Sequence, residues 1–90
     1  MERRIKGVEY SKNFLKSLRK LPVRIIDQAE EKEKIFKENP FHLVLKTHKL
    51  SGKEKEVWAF WINHSYRIKF IFLSSEKVLF LDVGTHDIYR

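Results

Sequence analysis

Three side chains in this sequence have types and neighbours that suit acid–base chemistry on a phosphate. His48 lies in the basic stretch Lys46-Thr47-His48-Lys49, Arg67 lies in a segment otherwise rich in apolar residues, and His86 follows Gly84-Thr85. An unperturbed histidine titrates near pH 6.5, so it can accept and donate protons at physiological pH. Arginine and lysine can stabilise developing negative charge, and the planar arginine can donate two parallel hydrogen bonds to one phosphate.

Each of these side chains also has a simpler interpretation. His48 could be a loop histidine whose basic neighbours only bind backbone phosphate. Arg67 could form a cross-strand ion pair with Glu56 or Asp82, and His86 could be a surface or capping histidine.

A metal site is not favoured by the sequence. The chain has four histidines and no cysteine, which excludes disulfides and thiolate ligands. His48, His64 and His86 could in principle share a metal, but neither their spacing nor their basic surroundings favours this. We therefore expect no metal and no cofactor, and we interpret His42 and His64 as structural.

The chain is strongly basic, and its charge is unevenly distributed along the sequence. The formal net charge is +7, with a net +6 over residues 1–24, a net −2 over residues 25–40 and a net +3 over residues 41–90. A basic surplus attracts polyanions through counterion release. Charge alone leaves nucleic acid, a membrane surface or an acidic protein as the partner.

The N-terminal half predicts two helices. Ser11 is a plausible N-cap for a helix with apolar residues at helical spacing, and Pro22 suits the first turn of a second helix that ends before Asn39-Pro40. Phe14, Leu15, Leu18 and Leu21 form the predicted apolar stripe of the first helix. The predicted stripe of the second helix consists of Val23, Ile26, Ala29, Glu33 and Phe36, in which Glu33 is the one charged member.

Strands are predicted at residues 4–8, 56–62, 66–73 and 77–83. The length of 90 residues favours one domain, residues 1–90. The predicted fold class is α+β, with two N-terminal helices packed on a small, mostly antiparallel four-stranded sheet in the order β-α-α-β-β-β. One sheet face packs on the helices, and the opposite face, which carries Arg67 and Lys69, is left for a ligand.

Aromatic residues near these cations suit base stacking. Tyr66 and Trp61 could each stack on a nucleobase. Trp58 and Trp61 cannot share one face of a regular strand, and we expect Trp58 to be the core residue.

Several segments together resemble the RelE/ParE superfamily of bacterial toxins over nearly the whole chain. They are Phe14-Leu15-Lys16-Ser17-Leu18, Asn39-Pro40, the stretch from Leu45 to Gly52, Tyr66-Arg67-Ile68, and Leu81-Asp82-Val83-Gly84-Thr85-His86-Asp87 followed by Tyr89. The histidine in Leu45-Lys46-Thr47-His48 and the segment Gly84-Thr85-His86 are most similar to the branch of ribosome-dependent mRNA interferases.

The resemblance implies a metal-independent endoribonuclease in which the ribose 2′-hydroxyl attacks the adjacent phosphate. It implies that His86 is catalytic, as general acid, that His48 is general base or substrate contact, and that Arg67 grips the scissile phosphate. Lys46 and Lys49 would bind phosphate, with solvated lysines as the alternative. Tyr89 would stack on the substrate or orient it.

The same resemblance implies the toxin of a type II toxin–antitoxin system. Its partners would be a cognate antitoxin, the ribosome and mRNA, and no membrane is expected. With no export signal, we expect a cytoplasmic protein.

One departure leaves the mechanism and the function open. Some interferases carry an acid and a further histidine near the second-strand hairpin, whereas this chain reads Trp61-Ile62-Asn63-His64-Ser65. The division of base and acid roles therefore stays open. The alternatives are a non-nuclease toxin of the same superfamily that inhibits gyrase, and an inert RNA-binding or partner-binding module.

Overall fold

The computed structural model describes residues 4–51 and 56–85. The elements, in chain order, are β1 (Gly7–Tyr10), α1 (Lys12–Arg19), α2 (Val23–Glu38), a 3₁₀ turn (Leu43–Leu45), β2 (His48–Lys49), β3 (Trp58–Trp61), β4 (Tyr66–Phe72) and β5 (Lys77–Thr85). In the part of the chain that is described, no helix has the length and apolar character to span a bilayer.

The strands form one mixed sheet in the order β1-β5-β4-β3-β2. β1 runs parallel to β5, and the other neighbours are antiparallel, which confirms the α+β class. The predicted count of four strands was wrong, because β2 is a fifth strand in which His48 and Lys49 pair with Ala59 and Trp58. Two residues are too few to show the alternation by which a strand is recognised in sequence.

The first strand lies further along the chain than predicted. Residues 7–10 form β1, because they pair in parallel with residues 77–80 of β5. Ile5, which we had placed in this strand, instead donates its N–H to the carbonyl of Lys37 at 2.8 Å and is buried in the core.

The first helix begins where the sequence predicted. The Ser11 hydroxyl accepts a hydrogen bond from the N–H of Phe14 at 2.9 Å and donates one to the carbonyl of Leu81 at 2.8 Å. The same side chain therefore caps α1 and ties its start to β5.

The buried stripe of the second helix differs from the predicted one. Ile25, Ala29 and Phe36 are its buried residues, whereas Val23 is 73% exposed. The residues that contact the sheet determine which side of the helix is buried. Val23, the first residue of the helix, lies outside that side.

Phe36 is the centre of an aromatic core. Its ring lies 4.7 Å from Phe60, 4.9 Å from Phe70 and 5.6 Å from Phe80. On β5 the register moves from Phe80 directly to Asp82, so Leu81 is an extra, bulged residue. The bulge allows both Phe80 and Val83 to be buried.

Candidate nucleic-acid interface

The sheet face opposite the core carries two rows of residues. Phe60 and Ile68 are a cross-strand pair in the core, so the flanking pairs of β3 and β4 lie on the other face. The first row holds Trp61 and Arg67. The second row holds His48, Ala59 and Lys69, because Ala59 of β3 pairs with His48 of β2 on one side and with Lys69 of β4 on the other.

Arg67 is held by the hairpin between β3 and β4. Its Nη1 donates to the carbonyl oxygens of Asn63 at 2.8 Å, His64 at 2.7 Å and Tyr66 at 3.2 Å. The residue is only 5% exposed, which is exceptional for arginine. The guanidinium is thus part of the hairpin structure and does not extend freely from the surface.

Neither acid that we considered as an ion-pair partner of Arg67 is placed for that role. Glu56 lies 3.6 Å from the ammonium of Lys49, and the Asp82 carboxylate accepts a hydrogen bond from Ser17 at 2.7 Å. The contacts of Nη1 are with backbone carbonyls instead.

Three basic side chains, Lys46, His64 and Arg67, surround the indole of Trp61. We call these four residues the Trp61 cluster. The Cζ of Arg67 is 4.0 Å from the indole centroid, and the Nζ of Lys46 is 5.4 Å from it. The ring of His64 meets the indole edge-on at 5.6 Å. Both cations are within the range of a cation–π interaction.

The two tryptophans are divided between the faces, as predicted. Trp58 packs against the hydrophobic core, whereas Trp61 contacts the basic side chains of the opposite face.

Lys46 reaches the cluster through an unusual backbone conformation. It follows the 3₁₀ turn with φ 51° and ψ 39°, the left-handed region, which costs about 1–2 kcal/mol for a residue with a Cβ. The turn itself is capped by Nδ1 of His42, which accepts from the N–H of Val44 at 3.1 Å. His42 is therefore structural, as we expected.

His48 lies in the second row rather than in the cluster. Its Nδ1 is 3.0 Å from the carbonyl oxygen of Lys46, which orients the ring. His48 and Arg67 lie two strands apart, at about 4.8 Å per strand, and two residues apart along the strands, at about 3.3 Å per residue. Their Cα atoms are therefore about 12 Å apart. A ligand that contacts both would span the two rows.

Tyr66 is separated from the other candidates. It packs against the hydrophobic core, on the face opposite to Arg67. It therefore does not belong to the face that carries Trp61 and Arg67. His86 and Tyr89 lie outside the described residues.

Two residues of this site were not among the predicted site residues. His64 was interpreted as structural, and its ring contacts Trp61 while its carbonyl accepts from Arg67. Lys69 was predicted to share a face with Arg67 through its i+2 spacing, and it lies in one row with His48. Among residues 4–51 and 56–85, no group of three or more histidine, aspartate or glutamate side chains is arranged to hold a metal.

A second feature is a cavity of about 200 Å³ between α1 and α2, away from the Trp61 cluster. Phe14, Leu18 and Ile26 contribute to its apolar wall. At its rim the Tyr10 hydroxyl donates to the carboxylate of Glu33. Burial and this carboxylate raise the pKa of Tyr10 well above its ordinary value.

The fold is similar to solved toxin structures. A YoeB/ParE toxin from Agrobacterium tumefaciens superposes with a TM-score of 0.74 at 14% identity, covering 89% of this chain and 98% of that chain. A chain of the E. coli DinJ-YafQ toxin-antitoxin complex gives a TM-score of 0.73 at 21% identity, covering 96% of both chains. A chain of the Mycobacterium tuberculosis toxin-antitoxin complex RelBE2 gives 0.76 at 18% identity, covering 96% of this chain and 94% of that chain.

No protein-family model and no curated protein matches the sequence. At these identities the structural likeness concerns the fold.

Proposed function

Since this chain has the RelE/ParE-like toxin fold, we propose that it is the toxin of a type II toxin–antitoxin system and an endoribonuclease that cleaves mRNA on the ribosome. The observation that carries the proposal is the Trp61 cluster, which places two cations against an indole on the sheet face opposite the helices. Cations beside an aromatic ring suit a single-stranded RNA, which offers phosphates and bases together.

The binding surface consists of the two rows together with Lys46 of the cluster. Lys46 and Lys69 supply positive charge for the RNA backbone. Lys49 pairs with Trp58 and so lies on the other face of the edge strand, where an RNA could reach it only around that edge. Trp61 already has the Arg67 guanidinium stacked at 4.0 Å, so its indole acts first as a support for that cation. A base would stack on the part of the ring that Arg67 leaves uncovered.

The proposed chemistry is a transfer within the RNA strand that requires no metal. The 2′-oxygen forms a bond to the adjacent phosphorus while the bond from phosphorus to the 5′-oxygen of the next nucleotide breaks. One histidine takes the proton of the 2′-hydroxyl, and the other gives a proton to the leaving 5′-oxygen. His48 and His86 fill these two roles in our proposal, and Tyr89 contacts the substrate.

Arg67 stabilises the charge on the phosphate in this scheme. A guanidinium has five N–H donors, and the two on Nη1 face the hairpin carbonyls. The phosphate would therefore meet the donors on Nη2 and Nε. Because the hairpin holds the group in place before substrate binds, little reorganisation is needed when charge develops.

The test is mRNA cleavage in a reconstituted translation extract. We expect the purified protein to cut mRNA only when ribosomes are present, and to do so in the presence of EDTA at a concentration that leaves the ribosomes intact. His86→Ala and His48→Ala should each lower the rate at least tenfold, whereas His42→Ala, which alters a capping histidine, should lower it less than threefold. Growth arrest of undiminished strength in His86→Ala and Arg67→Ala cells would refute the proposal.

The burial of Arg67 favours a second candidate, a catalytically inert RNA-binding module. A guanidinium that is 5% exposed and bonded to three carbonyls has a complete structural role without any substrate. Retained binding to single-stranded RNA, with no ribosome-dependent cleavage, would favour this candidate over the nuclease.

We also propose a cognate antitoxin as the protein partner, in the cytoplasm. The cavity between α1 and α2 offers an apolar site with a carboxylate, Glu33, at its rim. Co-expression with the product of the adjacent reading frame should restore growth and yield a co-purifying complex. Leu18→Glu, which places a charge in the cavity wall, should weaken that complex, whereas Lys20→Glu at the exposed C-cap that follows α1 should not.

A further inference from the structure

The position of the Arg67 guanidinium depends on the shape of a short hairpin turn. All three carbonyl groups that accept from Nη1 belong to residues 63, 64 and 66. A change in the backbone of this turn would therefore move the guanidinium, or leave it without its partners.

One side chain shapes that turn. The Oδ1 of Asn63 accepts from the N–H of Ser65 at 2.8 Å and from the N–H of Tyr66 at 3.0 Å. This is the local bonding by which asparagine stabilises turns. Asn63 also contributes its own carbonyl to Arg67, so it acts on the guanidinium both directly and through the backbone.

The second helix fixes the orientation of this asparagine. With Oδ1 engaged by the turn, the Nδ2 of Asn63 donates to Oε1 of Gln28 at 2.6 Å. One helical turn later, the Nζ of Lys32 donates to the carbonyl of Ile62 at 2.9 Å. Residues four apart share one side of a helix, so α2 contacts the hairpin at two adjacent points.

We propose that Asn63 and Gln28 are positioning residues for Arg67. Gln28 holds the Asn63 amide, the amide holds the turn, and the carbonyls of the turn hold the guanidinium against Trp61. This inference rests on the proposed function for its consequence in catalysis, but its structural part can be measured independently. A displacement of about 1 Å in a group that binds a transition state can cost a factor of up to about a hundred in rate.

The test compares variants at Gln28, because Asn63→Ala removes the turn-forming side chain and can impair folding. Gln28→Leu removes the acceptor of the amide, and Gln28→Glu retains an acceptor at the same place. Asn13→Leu is the matched control, since it makes the same neutral polar to apolar change at an exposed position of α1. Each protein is measured for cleavage on ribosomes, for RNA affinity and for the NMR signal of the Arg67 Nε–Hε group.

We expect Gln28→Leu to lower kcat about tenfold, with KM and affinity for a labelled RNA oligonucleotide within twofold of the parent. The Arg67 signal, identified by its loss in Arg67→Lys, should move towards the position of a solvated arginine. Gln28→Glu should restore both values, and Asn13→Leu should change neither. A Gln28→Leu protein with an unchanged kcat, or with an unchanged Arg67 signal, would overturn the inference.

Failure of the proposed function gives a different result. If the parent protein does not cleave mRNA, the nuclease proposal fails and the Arg67 signal alone decides the positioning of the guanidinium. An unmoved signal in Gln28→Leu then rejects the positioning role, and a moved signal that Gln28→Glu restores supports it.

Discussion

Replacing Arg67 by alanine should destabilise the protein strongly, in addition to any effect on activity. The guanidinium contacts Trp61 at 4.0 Å, and its Nη1 donates to three carbonyl oxygens of the β3–β4 hairpin. Alanine removes all of these contacts and leaves space beside the indole. The three carbonyl oxygens then lose a charged donor. They lie in a shielded region, because Arg67, which contacts them, is only 5% exposed.

The magnitude follows from these contacts. A hydrogen bond from a charged donor contributes about 1.5–3 kcal/mol, and a desolvated cation–π contact contributes about 2 kcal/mol. The contributions do not add fully, because three acceptors share one nitrogen and water can reach a turn in the variant. We expect a loss of about 2–4 kcal/mol, against about 5–13 kcal/mol for the unfolding of a domain of this size.

The assay is urea denaturation at pH 7, followed by far-ultraviolet circular dichroism. Arg24→Ala is the matched control, because it removes the same charge from an exposed position on α2 and should change the free energy of unfolding by less than about 0.5 kcal/mol. An Arg67→Ala protein as stable as the Arg24→Ala protein would refute the structural role. Activity of Arg67→Ala should accordingly be measured at a temperature at which the variant is folded.

Three further changes test the core, the cavity and the binding surface. Phe36→Ala should lower the free energy of unfolding by about 3–5 kcal/mol, because the ring is fully buried among other aromatic rings; a loss under 1 kcal/mol in the same urea assay would contradict this core. The raised pKa of Tyr10 means that the folded state binds this proton more tightly, so stability should fall as pH rises above about 10. Tyr10→Phe should reduce that fall, and equal slopes in parent and variant would argue against the contact with Glu33. Lys46→Ala should lower the slope of log affinity against log salt for single-stranded RNA by about 0.7, as expected for one phosphate contact, whereas Lys34→Ala on the exposed side of α2 should leave it unchanged.

Local patterns in the sequence were sufficient for much of the architecture. The Ser11 cap, the end of α2 at Asn39, the short hairpins and the division of Trp58 and Trp61 between two faces each depend on near neighbours or on strand alternation. The two-residue strand β2 and the exposure of Val23 were not predictable in this way. Both depend on which residues of distant segments reach the sheet.

The candidate site shows the same division. Strand alternation by itself placed Arg67 and Lys69 on the sheet face away from the helices, and the resemblance to a toxin family implied the roles of His48, Lys46 and Lys49. Only the tertiary structure decided what surrounds Arg67: the indole of Trp61, the carbonyls of the hairpin, and the link through Asn63 to Gln28. Residues 28 and 63 are 35 positions apart, and no periodicity connects them. They meet because α2 packs its buried side on the sheet, which brings the adjacent side of the helix to the end of β3.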